Sequence, residues 1–375
     1  MKIIHTADWH LDSKLNALPG DKAKERSAEL LQNFKRLTEY AVENGVNAIL
    51  IAGDMFDTTI CLKRTSSVIL SVINEHPDIN YYILKGNHDR NSFFDAIEER
   101  PANLFTFSDT PITYKEGSVN ITGVELDKDN IDLFYNTLNL DAARVNIVML
   151  HGQEADSYKK DKAEIIPLRE LKGRGIDYLA LGHIHAYKEG ELDARGVYCY
   201  SGCLEGRGFD ECGMHGFVRL DIDENNRITR TFIPFAKRRI YEIEVNVSGL
   251  DNSEDMLNAV RKALAEYSVT VNMTGSNYTL PAPTGSDLVK VVLTGEVDIT
   301  AEKDLAYLGA SIKDDYYFVK IEDKTVPHVE PRDYTLDESL RGEFVRTVLA
   351  DKAISDEDKA AIIQCGIKAL TEGKV

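Results

Sequence analysis

The feature that most constrains this chain is a recurring one. In its first half, short apolar runs end abruptly in aspartate, asparagine or histidine. Ile3–Ile4 leads to Asp8 and His10, and Asn47–Ala52 to Asp54 and Asp57. Tyr81–Lys85 leads to Asn87, His88 and Asp89, Val145–Leu150 to His151, and Tyr178–Leu181 to His183 and His185. Apolar runs of about four to eight residues read as buried strands. In open α/β sheets, ligand sites form outside the carboxyl ends of the strands. If these ends share one edge, carboxylates, an amide and imidazoles meet in one cleft. A single histidine at a strand end is more often structural, and Gly-Asn-His-Asp by itself is compatible with an Asx-type turn. The joint pattern has no packing rationale.

Between the runs lie helical patterns. Asp21–Asn44 places Leu30, Leu31, Phe34, Leu37, Ala41 and Val42 on one face and stops at Gly45; Lys63–Asn74 predicts a second helix. Further strands are expected at Val119–Gly123 and Val197–Tyr200, with helical stretches near Asn130–Leu138 and Pro167–Lys172. Strand–helix alternation predicts an α/β layer domain over residues 1–235. Residues 236–326 read as a smaller α+β domain, with strands at Arg239–Val247, Asp287–Leu293 and Tyr316–Ile321 and a helix at Ser253–Tyr267. Asn272–Ser286, rich in Gly, Thr, Pro and Ser, is expected to be an exposed loop. Residues 327–375 form a helical tail whose two patterns carry Leu340, Phe344, Val345, Val348 and Leu349, then Ile362, Ile363, Ile367 and Leu370.

Composition bounds the function. The 375 residues include 44 Lys plus Arg and 62 Asp plus Glu, a formal net charge of −18. Charged residues at 28% and hydrophobic ones at 43% fit neither a disordered chain nor a membrane bundle. So acidic a chain does not hold nucleic acid by its overall field, because phosphate binding needs local positive charge. The longest apolar run, Ala48–Ala52, is far too short to span a bilayer, and the N-terminus lacks a secretory pattern. With five cysteines, an odd and sparse set, reduced thiols and a cytoplasmic location are expected. Cys199, Cys203, Cys212 and His215 do not have a standard zinc spacing and read as thiols of a strand-loop region. No Gly-x-x-x-x-Gly-Lys-[Ser/Thr] occurs, so the chain is not itself a P-loop ATPase.

Imidazoles mixed with carboxylates suit Mn, Fe or Zn better than Ca or Mg. Two cations side by side need a bridging group, for which Asp54 is the candidate. Glycines next to the ligands, Gly53, Gly86, Gly152 and Gly182, permit sharp turns and close backbone approach. Arg90, adjacent to Asp89, and Arg207, in the Glu205–Asp210 loop, are candidate contacts to a substrate phosphate.

In order, the clusters read D-x-H, G-D-x-x-D, G-N-H-D, H and G-H-x-H, and they resemble the metallophosphoesterase superfamily. The wording His5-Thr6-Ala7-Asp8-Trp9-His10-Leu11-Asp12, Gly53-Asp54-Met55-Phe56-Asp57, Leu181-Gly182-His183-Ile184-His185 and Tyr200-Ser201-Gly202 is similar to the DNA-repair exonuclease branch, the SbcD-type nuclease subunits. The resemblance covers about residues 1–235. It implies a four-layer fold, two packed sheets flanked by helices, with an α+β cap domain and a helical tail. It implies one metal on Asp8, His10, Asp54 and His185 and another on Asp54, Asn87, His151 and His183, with Mn the expected ion. Asp57 would stand beside the ligands. His88 would face the scissile phosphate and protonate the departing oxygen, oriented by Asp89. The implied function is 3′→5′ exonuclease and endonuclease action on DNA ends, with an SbcC-type coiled-coil ATPase as partner and a homodimer as the assembly. The alternative is a phosphatase or phosphodiesterase for nucleotides and other small phosphoesters, to which the acidity of the chain points.

Overall fold

The structure is a computed structural model. It describes residues 1–58, 61–88, 97, 99–155, 164–298, 301–328, 334 and 337–372. The chain divides into two compact units, Met1–Arg239 with Thr270–Leu280, and Ile240–Val269 with Pro281–Val375.

The first unit opens with β1 (Lys2–Thr6), α1 (Gly20–Glu43), β2 (Ala48–Ala52), α2 (Lys63–Glu75), β3 (Asn80–Leu84) and β4 (Leu104–Thr106). It continues with β5 (Ile112–Glu116), β6 (Val119–Gly123), α3 (Ile131–Thr137), β7 (Val145–His151), β8 (Gln153–Ala155), β9 (Ile165–Pro167) and α4 (Leu168–Leu171). Then come β10 (Tyr178–Gly182), β11 (Lys188–Glu191), β12 (Val197–Tyr200), β13 (Gly216–Ile222) and β14 (Ile228–Pro234). Among the described residues, twelve of these strands build two six-stranded sheets, β14-β13-β1-β2-β3-β4 and β11-β12-β10-β7-β6-β5, and β8 pairs with β9. β1, β2 and β3 are parallel neighbours, as are β6, β7, β10 and β12. Parallel pairing is what sends their carboxyl ends to one edge.

Side-chain alternation sorts the core into layers. Ile49 and Ile51 of β2 pack toward α1 and α2 with Leu30, Phe34, Leu37, Ile69 and Ile73. Ala48, Leu50 and Ala52 of the same strand face the second sheet, where Ile147 and Met149 of β7 and Ala180 of β10 meet them. Val148 and Leu150 point the other way, onto Ile131 and Phe134 of α3 and Leu171 of α4. Both faces of β2 and β7 are therefore buried, which explains their unbroken apolar sequences. The outcome is the helix–sheet–sheet–helix sandwich expected from the sequence.

The chain continues with β15 (Ile240–Asn246), α5 (Ser253–Glu266), β16 (Val269–Met273), β17 (Ser276–Leu280), β18 (Leu288–Thr294), β19 (Glu296–Asp298) and α6 (Leu305–Ile312). It ends with β20 (Phe318–Asp323), β21 (Val326–His328), α7 (Leu340–Ala350) and α8 (Asp356–Glu372). In the second unit β15, β18 and β20 form a parallel three-stranded sheet, while α7 and α8 pack together through Val345, Val348, Ile363 and Ile367. The segment expected to be an exposed loop instead holds the β16–β17 hairpin. Thr274 and Gly275 at its tip have positive φ, 52° and 75°, as a tight hairpin turn requires. Met273 joins the core of the first unit, and Tyr278 Oη donates to the Phe232 carbonyl at 2.6 Å. No described helix is long and apolar enough to cross a membrane.

A buried ionic network fixes α1 to the loops after β12 and β14. Arg26 donates to Glu29 at 2.8 Å and to Glu205 at 2.5 Å, and Arg238 and Lys237 each reach Glu29 at 2.7 Å. Burial disfavours the charged Glu29 carboxylate. Hydrogen bonds from Arg238, Lys237 and Arg26 outweigh that and bring its pKa down to about 2. A lowered pKa adds stability above the ordinary value of 4.5 that is lost as pH falls toward 2. Trp9, the only tryptophan, is buried in this unit and reports its unfolding. Denaturant unfolding followed by Trp9 fluorescence should lose on the order of 3 kcal/mol between pH 5 and pH 2 through this group. Glu29→Gln should remove that part of the acid sensitivity; an unchanged pH profile would refute it.

Candidate metal centre

Beyond β1 and β2 the backbone leaves the sheet as two loops that stay zipped together. The amides of Asp8, His10 and Leu11 donate to the carbonyls of Gly53, Asp54 and Met55 at 3.1, 3.0 and 2.9 Å, and Asp57 returns a bond to Leu11 at 3.0 Å. The zip aims Asp8, His10, Asp54 and Asp57 at one point. It does so at the cost of backbone strain: Asp8, His10, Asp54 and His183 have φ of 54°, 45°, 49° and 100°. Non-glycine residues held in the left-handed region cluster at functional sites, where the surroundings enforce them. Gly53, with φ 94°, lies under the His151 ring; a Cβ there would stand 2.1 Å from Nδ1.

Asp8 accepts the His183 amide with both oxygens, at 2.9 and 3.0 Å. Asp54 Oδ1 accepts the His88 amide at 2.9 Å, while Oδ2 lies 3.2 Å from His151 Nε2. His151 Nδ1 donates to the Ala52 carbonyl at 2.9 Å, which leaves Nε2 facing Asp54 and, at 3.0 Å, Asn87 Oδ1. His183 Nδ1 is 3.4 Å from the same Asn87 oxygen. His10 and His185 oppose each other Nε2 to Nε2 at 3.1 Å, and the His88 ring stands edge-on to His10, centroids 5.0 Å apart. Asp8, His10, Asp54, Asp57, Asn87, His88, His151, His183 and His185, each expected from sequence, thus converge. Asp89 and Arg90 lie outside the described residues.

Electrostatics follow from burial. Asp8 is pushed up by desolvation, against the pull of His151 and His185. Desolvation also opposes charge on Asp54 and His151, but each stabilises the other. Asp54 ends well below the usual carboxylate range and His151 is lifted to about 9. His183 is lowered by burial and by the charge on His151. His10 Nδ1, buried, has no well-aligned hydrogen-bond partner although Asp57 Oδ1 is 3.1 Å away.

This donor set fits divalent metal. Asp8, His10 and His185 form one cluster and Asp8, Asp54 and His151 another, with ligand atoms within 4.8 Å of one another; His10, Asp57 and His88 form a third grouping. Among the described residues, none of these clusters includes a cysteine. None of the five cysteines forms a disulfide, and Cys203 Sγ is hydrogen-bonded instead to His215 Nδ1 at 3.2 Å. Burial pushes the Cys199 thiol up to about 12.

The structure adds one residue that the sequence left unmarked. Glu211 accepts from His185 Nδ1 at 2.7 Å and from Arg207 Nη2 at 2.7 Å, and Arg207 Nη1 reaches Asp57 Oδ1 at 3.2 Å. Arg207, read as a loop arginine near the substrate, therefore has its guanidinium engaged by two carboxylates. Its i,i+4 spacing to Glu211 was the one available signal.

The chain is similar to known proteins. Residues 1–187 match the Metallophos family, calcineurin-like phosphoesterase. The SbcD chain of the SbcCD nuclease of Staphylococcus epidermidis is 25% identical over 279 residues, covering 65% of this chain and 72% of that protein. Among solved structures, TT1561 of Thermus thermophilus has a TM-score of 0.41 at 12% identity, covering 62% of this chain and 98% of its own. A dimetal phosphatase of Danio rerio has a TM-score of 0.39 at 9% identity, covering 62% and 95%. The chain carries the calcineurin-like metallophosphoesterase fold, and its buried His and Asp clusters are those of a metal-dependent phosphoesterase.

Gly86 offers a direct test of how tightly the centre is packed. A Cβ at this position would lie 2.1 Å from Asp54 Oδ1. Gly86→Ala should displace that carboxylate and weaken divalent-ion binding about tenfold or more, by analogy with the loss of ligand-orienting contacts. Metal content after dialysis against limiting Mn²⁺ measures it, and wild-type occupancy would contradict the packing argument.

Proposed function

We propose that this chain is a two-metal phosphodiesterase that cuts DNA at ends, as an SbcD-type 3′→5′ exonuclease and endonuclease. The supporting observation is the reach of the likeness. Similarity to the nuclease chain covers 65% of this one, whereas the phosphoesterase family match stops at residue 187. The motif wording around His5–Asp12 and Tyr200–Gly202 points the same way.

Asp8, His10, Asp54 and His185 would hold one ion, and Asp54, Asn87, His151 and His183 the other, with Asp54 bridging; Mn is the expected ion, and Fe or Zn suits the same donors. Bound divalent ions make water nucleophilic near neutral pH and offset phosphoryl charge. The chain's own residues set the geometry. The Ala52 carbonyl fixes a proton of His151 on Nδ1, so Nε2 would be the atom that holds an ion. The His88 amide holds Asp54, while Nδ1 of its exposed ring lies 3.3 Å from the Asp57 carbonyl, which would leave Nε2 to donate a proton to the leaving sugar oxygen. Asp89 would orient that ring, and Arg90 would lie beside the phosphate.

With Mn²⁺, the chain should release nucleotides from the 3′ ends of labelled duplex DNA. His88→Ala should keep its bound metal and lose about 10²–10⁴-fold in rate. A second reading, a phosphatase or phosphodiesterase for small phosphoesters, is favoured by the net charge of −18. Faster turnover of cyclic nucleotides or a nitrophenyl phosphodiester than of DNA ends would select it.

The partner would be an SbcC-type coiled-coil ATPase, and the resting assembly a cytoplasmic homodimer. α7 and α8 bury one face against each other yet expose Leu340, Leu349, Ile362 and Leu370. Such a surface suits a partner helix. Sedimentation should show a dimer alone and a larger complex with the ATPase, the latter lost in Leu340→Asp/Ile362→Asp. A monomer, or a complex indifferent to these substitutions, would remove the corresponding proposal.

A further inference from the structure

We propose that Glu211 and Arg207 are positioning residues that aim both imidazoles of one metal site, a role that deepens, and rests on, the reading of His10 and His185 as ligands. Each ring has its Nε2 turned toward the other and its Nδ1 toward a carboxylate. For His185 that carboxylate is Glu211, at 2.7 Å; for His10 it is Asp57, at 3.1 Å. A metal-bound histidine commonly donates its second ring N–H to a carboxylate, which fixes the tautomer and the ring orientation. Here the two carboxylates are not independent. One guanidinium joins them: Arg207 Nη2 bonds Glu211 Oε1 at 2.7 Å and Nη1 bonds Asp57 Oδ1 at 3.2 Å.

The clamp is itself held. The Arg207 amide donates to Glu211 Oε2 at 2.8 Å, and His215 Nε2 donates to the Glu211 carbonyl at 2.9 Å. One residue upstream, the Gly206 carbonyl accepts from Arg26 Nη2 at 2.8 Å. Glu205 is buried and bonded to Arg26 and to Asn33, at 2.5 and 2.6 Å. Helix α1 therefore anchors the loop that carries the arginine. A guanidinium whose forked donors already face two carboxylates is poorly placed to grip a substrate phosphate, and well placed to keep two ligand rings in register.

Titration calorimetry of the metal-stripped full chain with Mn²⁺ tests this, with folding checked by circular dichroism and Trp9 fluorescence. Wild type should bind two ions. Glu211→Gln, nearly isosteric, should weaken one ion about 10–100-fold and leave the other unchanged. In a His185→Ala background the same substitution should add little, because Glu211 acts through that ring. Arg207→Ala should weaken the same ion by less, and it carries the test should Glu211→Gln misfold. Unchanged affinities in the folded variants would overturn the inference. So would a Glu211→Gln effect of equal size with and without His185. A wild-type chain binding fewer than two ions would overturn the metal-site reading itself, and the inference with it.

Discussion

Two carboxylates, Asp8 and Asp54, lie almost fully buried in one pocket, and neither can stay charged there without positive charge beside it. Without bound metal that charge falls to His151, which Asp54 lifts to about 9. Divalent ions held by these residues would supply that positive charge in its place. Much of the first unit can be understood as the means of keeping those acids together. Parallel strands deliver them to one edge, zipped loops hold them in strained backbone, and the two sheets press close. At Gly182 a side chain would stand 1.9 Å from the Ala52 carbonyl. The stability given up in strain and desolvation is recovered from the apolar layers on either side, which is why the ligands follow such unbroken apolar strands.

That coupling made much of the centre legible in the sequence. A strand buried on both faces reads as a solid apolar run, as in Ala48–Ala52, and the polar residue that ends it needs a reason to be there. Whatever depended on antiparallel pairing or on loop path was less visible. The β13–β14 hairpin sits against β1, yet Gly216–Ile222 mixes Arg and Asp into its outward positions and gave no block signal. In Val269–Leu280 an abundance of Thr, Asn, Gly and Ser outvoted a weak alternation, and only the paired backbone reveals the hairpin. Glu211 is one of 62 acidic residues. Its importance comes from meeting a histidine 26 positions earlier, through a glycine-containing loop that has no periodicity to read.

The acidity of the chain is also clearer in the light of this arrangement. Asp8, Asp54, Asp57 and Glu211 surround the centre, while the Arg207 guanidinium is already shared between two of these carboxylates, Asp57 and Glu211. Without metal, four carboxyl groups share that space with Arg207 and His151, in a chain whose formal net charge is −18. Two divalent ions would add positive charge there and nowhere else. Substrate attraction is then confined to the place where the chemistry occurs, and it depends on metal loading rather than on basic side chains. A chain built this way has little non-specific hold on nucleic acid; under the proposed nuclease reading, a long polyanion would be retained by a second contact, such as another copy or a partner, acting through effective concentration.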